Sequence, residues 1–147
     1  MSEVHIGVTG TRSGMTDYQK ASVIMFLETC IETVRQNNIQ VVLHHGDCVG
    51  ADVEVAEIAR GLGCKIVCHP PIDNKLRGWY TSDETLKPRT YFERNRDIVD
   101  RSQMLLVVPY QMEWQAKGGT WYTHDYAKKK DVFLRVFWPE RKIHAAS

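Results

Sequence analysis

Short β-rich runs alternate with helical segments along this chain, and the runs stop at glycine or proline. Strand, helix and parallel strand in succession join by right-handed crossovers, so such a chain builds a parallel sheet with helices on both faces. The first run, residues 4–9, ends at Gly10. Thr16 caps a helix beginning near Asp17, with Gln19 in the capping-box position. Ala21, Ile24, Met25, Leu27, Ile31 and Val34 recur at helical spacing up to Asn37 and Asn38. Residues 39–45 form a second strand, and the turn 46–52 feeds a helix with Val53, Val55, Ala56, Ile58, Ala59 and Leu62 inward. Residues 64–69 form a third strand, stopped by Pro70 and Pro71. Residues 70–90 are long, polar and irregular, and 91–101 are helical. Residues 104–108 are the most apolar run, predicted as a central strand buried on both faces and ended by Pro109. A last helix opens at Gly118, Gly119 and Thr120 and runs to about Lys130, and 131–137 make a fifth strand.

The predicted fold is therefore α/β: a three-layer, Rossmann-like parallel sheet of about five strands with helices on both faces. The 147 residues fit one domain, 1–147, with 138–147 as a tail. A net charge of +1 provides no global field for nucleic acid or an anionic membrane, so any anion must be bound locally. The N-terminus lacks a signal-peptide pattern, and no apolar stretch approaches a membrane span. Four cysteines without a CxxC pair fit a reduced, cytoplasmic protein.

In such a sheet, ligands bind beyond the carboxyl ends of the strands, where the strand order reverses. Four loops reach that edge. In the first, Thr9, Gly10, Thr11 and Arg12 offer amides, two hydroxyls and a guanidinium to a phosphate, although this is neither GxGxxG nor a Walker loop. The second holds Gly46, Asp47, Gly50, Ala51 and Asp52. Asp47 and Asp52 either accept from a ribose or base or cap the turn and helix, and both readings stand. The third, Gly118, Gly119, Thr120 and Thr123, is the strongest local signal: a glycine-bearing helix N-terminus leaves free amides for an anion. The fourth places Arg94 and Asn95 at a helix start, within reach of a phosphate and a base edge, while Arg96 reads as a surface arginine. Pro109 stands at the same edge.

Residues 70–90 mix Trp79 and Tyr80 with Lys75, Arg77, Lys87 and Arg89, which reads as a lid over the ligand in preference to a flexible surface loop. His44, His45, Asp47 and Cys48, and likewise Cys64, Cys68 and His69, lack the spacing of a structural zinc site, so no metal is expected. No Ser-His-Asp order or GxSxG elbow is present.

Five ordered segments carry a resemblance. They are Gly7-x-Thr9-Gly10-x-Arg12; His45-Gly46-Asp47-Cys48-x-Gly50-Ala51-Asp52; His69-Pro70-Pro71; Tyr91-x-x-Arg94-Asn95-Arg96-x-Ile98-Val99-Asp100-x-Ser102; and Gly118-Gly119-Thr120-Trp121-x-Thr123. Together they resemble the SLOG superfamily, which includes DprA-like, LOG-like and YpsA-like branches and the molybdenum cofactor carriers. The similarity spans Gly7 to about Lys130 and is nearest to the small stand-alone branch beside YpsA and the carriers. It implies a cleft built by the first, second and last glycine loops, and a nucleotide or nucleotide-derived phosphorylated ligand, a molybdopterin-like one included. It implies no further required cofactor, and a homo-oligomer, dimer or tetramer. Some branches cleave N-glycosidic bonds with a glutamate from a PGGxGTxxE motif. Alignment on Gly119 and Thr120 puts Thr123 at that position. A threonine hydroxyl does not stabilise an oxocarbenium ion as a carboxylate does. The expectation is thus binding without catalysis. The alternatives are an N-glycosidase using Asp47 or Asp97, with Asp125 a third choice, and single-stranded DNA binding as in the DprA-like branch, which the near-neutral charge disfavours.

Overall fold

A computed structural model describes residues 2–143. It contains β1 (Ser2–Gly10), α1 (Asp17–Arg35), β2 (Ile39–His45), α2 (Ala51–Gly61), β3 (Lys65–Cys68), β4 (Glu84–Thr85), α3 (Tyr91–Asp100), β5 (Met104–Val108), α4 (Gly119–Lys129) and β6 (Phe133–Val136). All strand pairs are parallel, in the order β4-β3-β2-β1-β5-β6. The chain builds outward from β1 to β4, then crosses to β5 on the other side of β1. The switch therefore lies between the carboxyl ends of β1 and β5, where this architecture opens a crevice.

The sheet has six strands rather than about five. The extra one, β4, is two exposed residues inside 70–90, too short for any hydrophobic period to mark it. β6 is shorter than the predicted 131–137 because Asp131 takes a positive φ of 57° and Val132 N–H bonds back to Ala127 O, so both belong to the close of α4.

Local signals explain most boundaries. Thr16 and Gln19 form the capping box of α1, each side chain bonding the other's backbone N–H. Thr90 and Glu93 do the same for α3. The apolar run of β5 serves two cores. Leu106 and Val108 join Ile6, Val8, Leu43 and Ile66 under α1 and α2. Leu105 and Val107 face Ile98, Val99, Trp121 and Ala127 of α3 and α4. Among the described residues, no helix is long and apolar enough to cross a membrane.

Candidate functional site

A cleft of about 1150 Å³ opens at the β1/β5 switch, slightly larger than the usual small-molecule site. All four expected loops contribute to it, and particular contacts hold the first two together. Gly10 lets α2 pack directly on the end of β1: an added Cβ would come within 2.6 Å of the Ala51 Cβ. Gly50, the N-cap of α2, has φ 92°, and a Cβ there would stand 2.5 Å from Thr11 O. With Ala51 N–H donating to Thr11 O at 2.9 Å, these contacts join the first loop to the second.

Of the expected ligand residues, Thr9, Gly10, Thr11, Arg12 and Asp52 line the cleft from β1 and α2. Arg94, Asn95, Gly118, Gly119 and Thr120 line it from α3 and the start of α4. The other six do not. Ala51 is fully buried behind Gly10, and Gly46 and Gly50 shape the backbone beneath the site. Pro109 is buried, its carbonyl accepting from Gln19 Nε2 at 2.8 Å. Thr123 is 1% exposed and donates its hydroxyl to Gly119 O at 2.7 Å, so the glutamate-equivalent position faces into the fold.

Asp47 is the largest relocation. It is fully buried with φ 56°, and its carboxylate accepts from Arg77 Nε at 2.8 Å, Trp79 N–H at 3.2 Å and Tyr80 N–H at 2.9 Å. It anchors residues 70–90 along β3, away from the cleft. Asp97 is likewise outside, paired with Arg89 at 2.8 Å. No residue of 70–90 lines the cleft, so this segment is a strap beside the sheet and not a lid.

Asp52 is not the N-cap that its position before the helix predicts. It lies inside α2, and its Oδ2 accepts from Gly46 N–H at 3.1 Å and Cys48 N–H at 3.4 Å. Burial pushes its carboxyl up to about 6, against the opposing pull of Arg94. Arg94 is only 4% exposed. It donates to the carbonyls of Gly46 and, at 3.2 Å, His69, and to Asn95 Oδ1 at 2.8 Å and Cys48 Sγ at 3.6 Å. None of these hydrogen-bond partners is a carboxylate, and the Arg94 charge acts at the cleft floor, where the Asp52 carboxyl is its neighbour.

In the first loop, Thr11 N–H bonds Val108 O and the Thr11 hydroxyl accepts from Ser13 N–H, so its main offering to a ligand is Arg12. The exposed amides come from α4. Gly118 is its N-cap, no side chain caps it, and the first intrahelical bond is Tyr122 N–H to Gly118 O. The amides of Gly119 and Thr120 are left pointing outward.

Apart from Tyr122, the aromatic wall was not anticipated from the sequence. Tyr91, Phe92, Tyr110 and Tyr122 line the cleft, with Phe92 edge-on to Tyr122 at 4.5 Å. Arg12 and Arg94 both stand over Tyr91, at 5.6 and 5.5 Å. Arg96 also lines the cleft, donating to Tyr122 Oη at 2.9 Å. The spacing of Tyr91, Phe92 and Arg96 on α3 held this signal, but only the packing of α4 against α3 turns them toward one opening. Arg12, Arg94, Arg96, Lys117 and Lys129 face two carboxylates, Asp52 and Asp125, and Asp125 is engaged by Trp114 Nε1 and His124 Nδ1. The chain is near neutral, but its cleft is cationic.

Elsewhere, His45, Asp47 and Cys68 bring donor atoms within 4.8 Å of one another. His45 Nδ1 and the Asp47 carboxylate are engaged by the fold, and burial pushes the Cys68 thiol up to about 12, so it stays protonated at neutral pH. His45 Nδ1 accepts from Asp47 N–H; a neutral His45 therefore donates from Nε2 to Ser82 Oγ at 2.9 Å and cannot serve as that hydroxyl's base.

No protein-family model matches this chain, and no curated protein matches it significantly. Solved structures do. The molybdenum cofactor binding protein of Rippkaea orientalis is 18% identical, with a TM-score of 0.66 over 92% of this chain and 77% of that one. The molybdenum cofactor carrier protein of Chlamydomonas reinhardtii is 15% identical, with a TM-score of 0.62 over 91% and 76%. DNA processing protein A of Helicobacter pylori, which binds single-stranded DNA, is 21% identical, with a TM-score of 0.57 over 90% of this chain and 64% of that one. The β1/β5 switch, the glycine-bearing α4 N-terminus and these likenesses together show that the chain shares the Rossmann-like fold of these cofactor-binding and DNA-processing proteins.

Proposed function

We propose that the cleft binds a nucleotide or nucleotide-derived small molecule, with a phosphate on the Gly119 and Thr120 amides and a planar ring against the aromatic wall. The observation that supports this best is the uncapped α4 N-terminus opening into a cleft with five cations. Unpaired amides and a helix dipole favour an anion, and Arg12 stands ready as its charge partner. Phosphate is also the chemistry shared by a molybdenum cofactor and by DNA, the ligands named for the structural neighbours.

Binding without transformation is the reading favoured by Thr123, whose hydroxyl is bonded to Gly119 O where a hydrolase places its glutamate. Amide NMR during titration with pyrophosphate and adenosine monophosphate tests the site: shifts centred on Gly119, Thr120 and Arg12 support it, and shifts elsewhere or none overturn it. Free base released during the same titration replaces simple binding with the N-glycosidase reading. Assembly as a dimer or tetramer belongs to the same proposal, and light scattering measures it.

A further inference from the structure

We infer that Asp52 selects, among phosphorylated ligands, those that present a neutral hydrogen-bond donor, a hydroxyl or a ring amine, to its free carboxylate oxygen. This rests on the cleft being a site for a phosphate-bearing ligand. Asp52 is 6% exposed and lines the cleft floor. Its two oxygens differ. Oδ2 holds the Gly46 and Cys48 amides. Oδ1 has no hydrogen-bond or ion-pair partner among the described residues, yet no sealed side-chain oxygen is left unpartnered. Oδ1 therefore reaches the cleft.

A carboxylate oxygen that is nearly buried and unpaired is unfavourable unless something completes it. Loop pinning does not require it, because Oδ2 alone satisfies both amides and an asparagine oxygen would do the same. The raised titration of this carboxyl reflects that burial, which Arg94 and the two loop amides offset only in part. Oδ2 also fixes the direction of Oδ1 before any ligand arrives, which lowers the ordering cost of recognition. The donor must be neutral: Arg94 beneath the floor and Arg12 at the rim repel an ammonium. A second phosphate is excluded from the same spot by like charge. The ligand therefore places its anion at α4 and a hydroxyl or amine at α2. Sites built to pair a substrate donor discriminate strongly against analogues that lack it, because the acceptor is then left unpaired.

Calorimetric titration of the full chain and of Asp52→Asn with inorganic phosphate, ribose 5-phosphate and adenosine 5′-monophosphate tests the inference. Phosphate is expected to bind both proteins at least equally well. At least one of the other two is expected to lose tenfold or more in Asp52→Asn. A loss with ribose 5-phosphate identifies a sugar hydroxyl; a loss with adenosine monophosphate alone identifies the ring amine. Should the asparagine chain fail to fold, Asp52→Ser, which still accepts from a loop amide, provides the same comparison. Affinities for both compounds that agree within twofold between the proteins overturn the inference, as does phosphate binding with no binding of either compound. No phosphate binding alongside an Asp52-dependent loss for adenosine monophosphate overturns the anion site and leaves the role of Asp52 intact. No binding of any of the three overturns both.

Discussion

The fate of single residues followed how local their partners are. Thr16 and Gln19 were readable as a capping pair because the motif closes within four residues. Asp47 was not readable: its partners Arg77, Trp79 and Tyr80 are 30 to 33 positions away, and a carboxylate beside a glycine turn looks the same whether it meets a ribose or a strap. Asp47→Ala leaves Arg77 nearly buried without its counter-charge and two amides without acceptors, so it is expected to destabilise the fold by about 3 kcal/mol or more. Urea denaturation checks this; a loss below about 1 kcal/mol would mean that the pair behaves as a surface one. The histidines predict an acid response. His44 bonds His5 at 2.7 Å and His69 at 2.9 Å, and burial lowers both His44 and His69 to about 3 from 6.5. The unfolded chain takes up these protons near 6.5 and the folded chain does not, so stability is fully present above that pH. It is lost as pH falls from about 6.5 toward 3, at about 1.4 kcal/mol per pH unit for each proton. Denaturation midpoints across that window should fall, and the fall should lessen in His44→Gln.

Elements were legible where a pattern repeats and silent where it does not. β5 announced itself by five apolar residues, and α4 by its glycines. β4 could not, since two exposed polar residues have no period. The strap 70–90 was misread as a lid because exposed aromatics and cations suit a ligand as well as each other. In the fold Arg77 stacks on Trp79 at 3.8 Å, and Arg60 on Tyr80 at 4.8 Å. Hydrogen exchange should show this difference: nucleotide addition is expected to protect residues 9–13 and 118–120 and to leave 70–90 unchanged. Protection that spreads through 70–90 would restore the lid. The α4 N-terminus allows a sharper test. Gly119 is the first helical residue, where proline is favoured, and an added Cβ meets only Asn95 Nδ2, at 3.8 Å. Gly119→Pro removes one amide donor and little else. Phosphate affinity is expected to fall about tenfold, as for loss of one hydrogen bond to a charged group, with the thermal midpoint nearly unchanged.

At the scale of the whole molecule, composition and site point in different directions. The net charge of +1 argued against nucleic acid, while the fold gathers five of the cations around one opening. The fold is shared with a protein that binds single-stranded DNA and with proteins that bind a small cofactor, so architecture alone does not choose between them. The distribution of charge supports the single-ligand reading proposed above. A strand needs a track of cations that follows successive phosphates, with aromatic rings for successive bases. Here the cations and rings surround a single cleft of about 1150 Å³, room for one nucleotide-sized ligand. Each neutralised phosphate of a single strand contributes about −0.7 to the slope of log affinity against log salt. A cleft that holds one or two phosphates therefore predicts a slope no steeper than about −1.4, and affinity that stops rising once an oligonucleotide exceeds two or three residues. Anisotropy with fluorescent oligothymidylates of increasing length, across a salt series, measures both quantities. Adenosine monophosphate should displace the shortest of them, since they compete for the same amides on α4. A slope of −3 or steeper that grows with length would instead place the contacts along the outside of the molecule and transfer the function from the cleft to a strand-binding surface.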